Sequence, residues 1–145
     1  MKLNQISLFL ENKPGHLSHA TAALADAGIN LLTLSLADTE KFGILRLIAE
    51  DWQKAKEVLE ATGSVVNVTE VVAIEVEDAP GGLTKVLKSV ETAGVNIEYM
   101  YAFTAHRSGK AAMIFRFGDP DAAIKTLSTE GIGVLDKVAL FGEDE

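Results

Sequence analysis

The chain has 145 residues, 48% of them hydrophobic, with no cysteine and a formal net charge of −8. That length suits one domain or two very small ones, and the missing cysteines exclude disulfides and thiolate metal sites. An acidic chain with scattered basic residues lacks the footprint that nucleic acid or an anionic membrane surface requires. No apolar run is long enough to cross a bilayer, and the start, Met1-Lys-Leu-Asn-Gln, has no secretion-signal pattern. These features point to a soluble protein of the cytoplasm.

Ile6, Leu8 and Leu10 alternate with Ser7 and Phe9, which predicts a first strand. The stretch Glu11-Asn-Lys-Pro-Gly-His-Leu17 follows as a turn. Leu17, Ala20, Thr21, Leu24 and Ala27 recur at helical spacing, and Gly28 supplies a left-handed stop. Ile29 to Leu36 is apolar and β-prone. Asp38 to Gly43 forms a hairpin connection, and Ile44 to Ile48 the next strand. Asp51 is placed to cap a helix carrying Ala55, Val58 and Leu59 and ended by Gly63. Ser64 to Glu70 supplies a fourth strand.

The same order then repeats. Pro14-Gly15 recurs as Pro80-Gly81, Leu17 as Leu83, and Gly28-Ile29-Asn30 as Gly94-Val95-Asn96, all at one offset. After a two-residue insertion, Leu59 and Gly63 return as Leu127 and Gly131. In the second copy Val72, Ile74 and Val76 alternate. Leu83, Val86, Leu87 and Val90 make a helical stripe, and Val95, Ile97, Tyr99, Tyr101 and Phe103 read as one strand face. His106-Arg-Ser-Gly109 is a turn, and Asp119-Pro120 is an N-cap with proline at the first helical position. Val134 to Leu140 forms the last strand. The expected fold is therefore α+β: two tandem ferredoxin-like βαββαβ units, residues 1–70 and 71–145, with antiparallel sheets and helices on one face.

Each Pro-Gly stands between a first strand and a first helix. Proline stiffens the loop, glycine allows close approach to the backbone, and the helix start offers unpaired amides to an anion. The same pattern also serves as a plain turn and helix start. Asn30 and Asn96, each one apolar residue beyond a helix-ending glycine, add amide groups that can read either end of a zwitterion or cap local backbone.

The stretches "ENKPGHL … AGINLLTLSLAD" and "EDAPGGL … AGVNIEYMYAF" resemble two ACT domains, covering about residues 3 to 141, with no catalytic domain attached. The resemblance implies binding of a small amino acid or similar metabolite at interfaces between modules, regulation through changed module packing, and a homodimer. It implies ligand contacts at Asn12 in the turn and Asn30 after the helix. The candidate binding residues are Glu11, Asn12, Lys13, Pro14, Gly15, His16, Leu17, Asn30 and Leu31 in the first copy. In the second they are Asp78, Pro80, Gly81, Gly82, Leu83, Asn96 and Ile97. The second copy departs from the pattern: Asp78 replaces the loop asparagine and Gly82 stands where the first copy has His16. The first turn is thus the better site.

The strand residues in phase with Asn30 are Leu32, Leu34 and Leu36, whereas in the second copy the large residues Tyr99, Tyr101 and Phe103 fall on the other phase. Large side chains have changed sheet faces between the copies. Catalytic patterns are missing: no Gly-x-Ser-x-Gly elbow, no P-loop, no dinucleotide fingerprint. His16 and His19 lack a spaced carboxylate partner for a metal. Arg46 and Arg116 read as strand ion-pair residues and Trp52 as a packing residue. The expectation is a non-enzymatic regulator with an amino-acid ligand, no cofactor, no metal, no nucleic acid and no membrane. The alternative is a structural module that pairs with an amino-acid metabolic enzyme without binding ligand.

Overall fold

The computed structural model describes residues 2–38, 40–107, 109–136 and 139–140, and side chains at all of these except 38 and 104–107. Its elements are β1 (Lys2–Glu11), α1 (His16–Asp26), β2 (Leu31–Asp38), β3 (Phe42–Ala49), α2 (Trp52–Ala61), β4 (Val66–Glu77), α3 (Gly82–Thr92), β5 (Ile97–Arg107), β6 (Lys110–Phe117), α4 (Pro120–Thr129) and β7 (Val134–Leu135). The βαββαβ order occurs twice, and every described strand pairing is antiparallel. The expected α+β fold of two tandem ferredoxin-like units is the fold observed. Thr39, Ser108 and the acidic tail beyond Leu140 lie outside the described residues, as does part of each proposed hairpin turn and of the last strand.

The chain packs into one unit from Asn4 to Thr69 and a second from Glu70 onward that also takes in Lys2 and Leu3. The boundary falls inside β4. The sequence suggests two strands here, separated near Glu70; the structure runs them together from Val66 to Glu77. Nothing in "VNVTEVVAIEVE" breaks an extended chain, since it contains neither proline nor glycine. The final strand is shorter than expected: β7 covers only Val134–Leu135, and residues 139–140 are helical. Asp136 explains the change, because its carboxylate accepts from the Ala139 amide at 2.9 Å, as an N-cap does.

In the first unit the strand order is β2-β3-β1-β4. Leu8 lies opposite Leu45, and Ile6 opposite Leu47, so these four share the face that carries α1 and α2. They form a core with Ala20, Leu24, Ala55 and Leu59. The second unit repeats this with β7-β4-β6-β5. Val72, Ile74, Phe115 and Phe117 face Val86, Val90, Ala123 and Leu127.

Helix ends are built alike in both copies. Asp51 accepts from the Lys54 amide and Asp119 from the Ala122 amide, each at 3.1 Å. Such caps are worth about 1 kcal/mol each. After α1, Ile29 N–H donates to the Leu24 carbonyl and Gly28 N–H to that of Ala25. Val95 and Gly94 make the equivalent bonds to Val90 and Glu91 after α3. This six-to-one and five-to-two pair requires a left-handed residue, and Gly28 (φ 73°) and Gly94 (φ 71°) supply it. The Lys54 ammonium also donates to the Ala27 carbonyl at 3.0 Å, placing a cation at the negative end of α1.

One register irregularity is shared by the copies. In β2 the pairing shifts between Leu31 and Thr33, and in β5 between Ile97 and Tyr99. A bulge of this kind reverses the phase of everything after it. Ile97 therefore packs on the helix-side core while Tyr99 and Tyr101 point to the other face, so the five residues read as one face do not share it. In the first copy Leu34 and Leu36 pair with core residues Leu47 and Leu45 and lie on the helix side. The exchange of large side chains between faces is thus real.

Candidate functional site

The two turns share a backbone plan. His16 N–H donates to the Lys13 carbonyl and Gly82 N–H to that of Ala79. His19 N–H donates to the Gly15 carbonyl, and Lys85 N–H to that of Gly81. Gly15 (φ 89°) and Gly81 (φ 87°) are the N-caps, both left-handed, and no side chain caps either helix. The amides of Leu17 and Ser18 find no backbone acceptor among the described residues, as expected of a first helical turn.

A cleft of about 770 Å³ opens at the first turn. Glu11, Pro14, Gly15, His16, His19 and Ala20 line one side; Thr62, Gly63, Ser64 and Val65, the α2–β4 connection, line the other, with Phe9 and Leu10 from β1. All of these residues belong to the first unit. Its volume is in the range of small-molecule sites.

Of the sequence candidates, Glu11, Pro14, Gly15 and His16 meet in this cleft. Asn12 and Lys13 are exposed beside it, and Lys13 pairs with Glu11 at 3.4 Å. Leu17 packs on the helix-side core. Asn30 and Leu31 line a separate depression of about 380 Å³ with Ser18, Thr21 and Ile29, so the two asparagines are not brought to one cavity within the first unit. The α2–β4 wall escaped sequence reading because it lies some fifty residues beyond the turn. Two signals were available: Val65 follows a helix-ending glycine, and Phe9 occupies an outward position of an otherwise alternating strand.

The second turn is built differently at one point. Gly82 is buried, and a β-carbon there would strike the Glu77 carbonyl oxygen and stand 2.9 Å from its carbon. Its φ is ordinary, so glycine is required for room and not for conformation. In the first copy the corresponding Glu11 carbonyl accepts from Lys13 N–H at 2.8 Å, and His16 carries its full side chain into the cleft. Asp78, Pro80 and Gly81 remain exposed, while Leu83 and Ile97 pack on the second core. Asn96 is held by its neighbours: its carbonyl accepts from Gly118 and its amide reaches Glu98 at 3.5 Å.

A model of the ACT domain pair matches residues 1–140. The chain belongs to the ACT domain pair family. Of solved structures, a protein of Bacteroides thetaiotaomicron is 38% identical with TM-score 0.91, over 99% of this chain and 98% of that one. The ligand-free regulatory subunit of aspartate kinase from Thermus thermophilus has TM-score 0.65 at 21% identity, over 87% of this chain and 91% of its own. That of Thermus flavus has TM-score 0.62 at 19%, over 87% and 90%. The two Thermus proteins share the fold of this ACT pair. No curated protein matches the sequence.

Elsewhere, no group of three or more His, Asp or Glu side chains among the described residues is placed to hold a metal ion, and no described helix is long and apolar enough to cross a membrane. Lys2 bridges Asp121 at 3.1 Å and Glu70 at 3.6 Å. The hydrogen bond to Asp121, then the two negative charges, raise its amine above the ordinary 10.5. Any stability this adds is present below 10.5 and fades as pH rises through the raised value, and at a solvent-exposed pair it is small.

Proposed function

We propose that this ACT pair is a non-catalytic regulatory protein whose first copy binds a small amino acid, or a similar metabolite, in the cleft at Pro14, Gly15 and His16. The observation that carries the reading is that cleft: a cavity of small-molecule size opening on an uncapped helix start. The ligand carboxylate accepts from the first-turn amides, where the partial positive charge of the helix favours it. The His16 imidazole and the Thr62 and Ser64 hydroxyls offer further hydrogen bonds, and Glu11 offers an acceptor for the ammonium group. Asn12, at the rim, is the reserve contact.

The second copy acts as a structural module. The Glu77 carbonyl packs against Gly82 and leaves no room for a side chain where the first copy carries His16, so the second turn lacks that imidazole, which supports this version of the structural reading. Regulation follows if the ligand has different affinities for two packings of the modules, in a cytoplasmic homodimer or with an amino-acid metabolic enzyme as partner. Calorimetric titration of the pure protein with each amino acid tests the proposal. Saturable heat with at least one amino acid below millimolar concentration is expected; silence from all of them at millimolar levels contradicts it.

A further inference from the structure

Five large apolar side chains are well exposed among the described residues, and all five belong to the first unit. Leu34 and Leu36 stand on the helix side of β2. Phe9 (61%), Phe42 (47%) and Val65 (76%) stand on the other face. Phe9 alternates with Leu8 and Leu10 of the helix-side core and lies opposite Ile44, which in turn lies opposite Ala37. Phe42 is two residues from Ile44 along β3 and shares its face, and Val65 alternates with the core residue Val66. The second copy builds the same three places without apolar groups: Glu75 corresponds to Phe9, Lys110 to Phe42 and Gly133 to Val65. There the Lys110 ammonium donates to Glu75 Oε1 at 3.4 Å, and a β-carbon at Gly133 would stand 3.1 Å from the same oxygen. The fold therefore does not need apolar side chains at these positions, and in the first copy they form a patch whose covering is favourable.

We propose that two copies of the chain meet face to face here, with Phe9, Phe42 and Val65 at the centre of the contact. The charges around the patch argue for a second copy. They are Glu11, opposite Phe42; Lys13, 3.4 Å from Glu11; Glu40 and Lys41, just before Phe42; and Arg46, two residues beyond Ile44. Two acids thus stand against three bases, in a chain of net charge −8. This border offers both signs to its own image across a two-fold axis, where the acidic surface as a whole repels another copy. Two phenylalanine rings about half exposed supply roughly 200 Å² per copy, a quarter of the about 800 Å² that a standard interface takes from each partner. The apolar group is therefore the centre of the contact and the surrounding polar strand residues are its rim. The pairing is independent of the ligand: a chain that binds no amino acid can still pair through this face, and a monomer can still bind one.

The test is analytical ultracentrifugation of the full-length protein across a concentration series. The parent is compared with a double variant, Phe9→Glu with Phe42→Lys, which transplants the second copy's ion pair, and with Lys88→Glu, an exposed change on α3. The parent is expected to sediment as an assembly of an even number of chains, and the double variant at half that mass with the parent's circular dichroism. Lys88→Glu should keep the parent's mass. The single change Phe42→Lys, outside the cleft, keeps the proposal testable if the double variant does not fold; it should weaken association about tenfold. A parent that stays monomeric at every concentration overturns the proposal and leaves the patch to a different partner. A double variant, or a Phe42→Lys variant, that associates as the parent does also overturns it. So does loss of association on Lys88→Glu equal to that of the double variant, which would make the effect one of net charge.

Discussion

Phe115→Ala is expected to cost about 4 kcal/mol of stability, among the largest effects of any single substitution in this chain. Phe115 is completely buried and lies parallel to Phe117, ring centroids 5.3 Å apart and planes 4° apart. Both rings stand on the helix face of β6, Phe115 between Val72 of β4 and Met100 of β5, and Phe117 opposite Ile97 of β5. Truncation leaves a cavity that α3 and α4 can fill only by shifting off well-packed positions, so the lost transfer energy and the cavity cost add. Thermal unfolding followed by circular dichroism should show the transition fall by ~10 °C. Phe9→Ala, at an exposed position, should stay within about 0.5 kcal/mol of the parent. A Phe115 variant that melts with the parent would contradict the assignment of this ring to the second core.

Gly82→Ala is expected to destabilise by about 3 kcal/mol, an unusually large penalty for one methyl group. The new β-carbon meets the Glu77 carbonyl, which is backbone at the end of β4 and cannot move without disturbing the pairing of Glu77 with Lys110. The fair comparison is Gly15→Ala. Gly15 has open space around the position of a β-carbon, so the penalty there comes only from its φ of 89° and amounts to about 1–2 kcal/mol. His16→Ala, at the position equivalent to Gly82, should be close to neutral because a β-carbon already fits. Denaturant unfolding of the three variants separates these cases. Equal stabilities for the Gly82 and His16 variants would mean that the two turns are equivalent after all.

Much of this fold was legible in the sequence because the features that specify it are local. Asp51 and Asp119 cap helices within three residues of themselves, and Gly28 and Gly94 end helices through their own φ. Two copies of each signal at a fixed offset strengthened the reading. What escaped was set by packing. The bulges at Leu31/Thr33 and Ile97/Tyr99 reverse strand phase without any glycine or proline to mark them. The joining of two expected strands into β4, and the shortening of the last one, depend on partners distant in sequence.

The site followed the same division. The turn at Pro14 and Gly15 was visible as a motif, and its uncapped helix start follows from local geometry. The opposite wall from Thr62 to Val65 could not be joined to the turn from sequence, because its approach to the turn is a tertiary fact. The difference between the copies was visible as His16 against Gly82, yet its consequence was not. Only the structure shows that the glycine accommodates a backbone carbonyl.

On the function proposed above, the first turn holds a ligand and the second does not. The most direct test is a crystal structure of the protein soaked with a mixture of amino acids. Density for one amino acid per chain is expected between Pro14, Gly15 and His16 on one side and Thr62 to Val65 on the other. Density at Pro80 and Gly81, or none at either turn at saturating concentration, would contradict it.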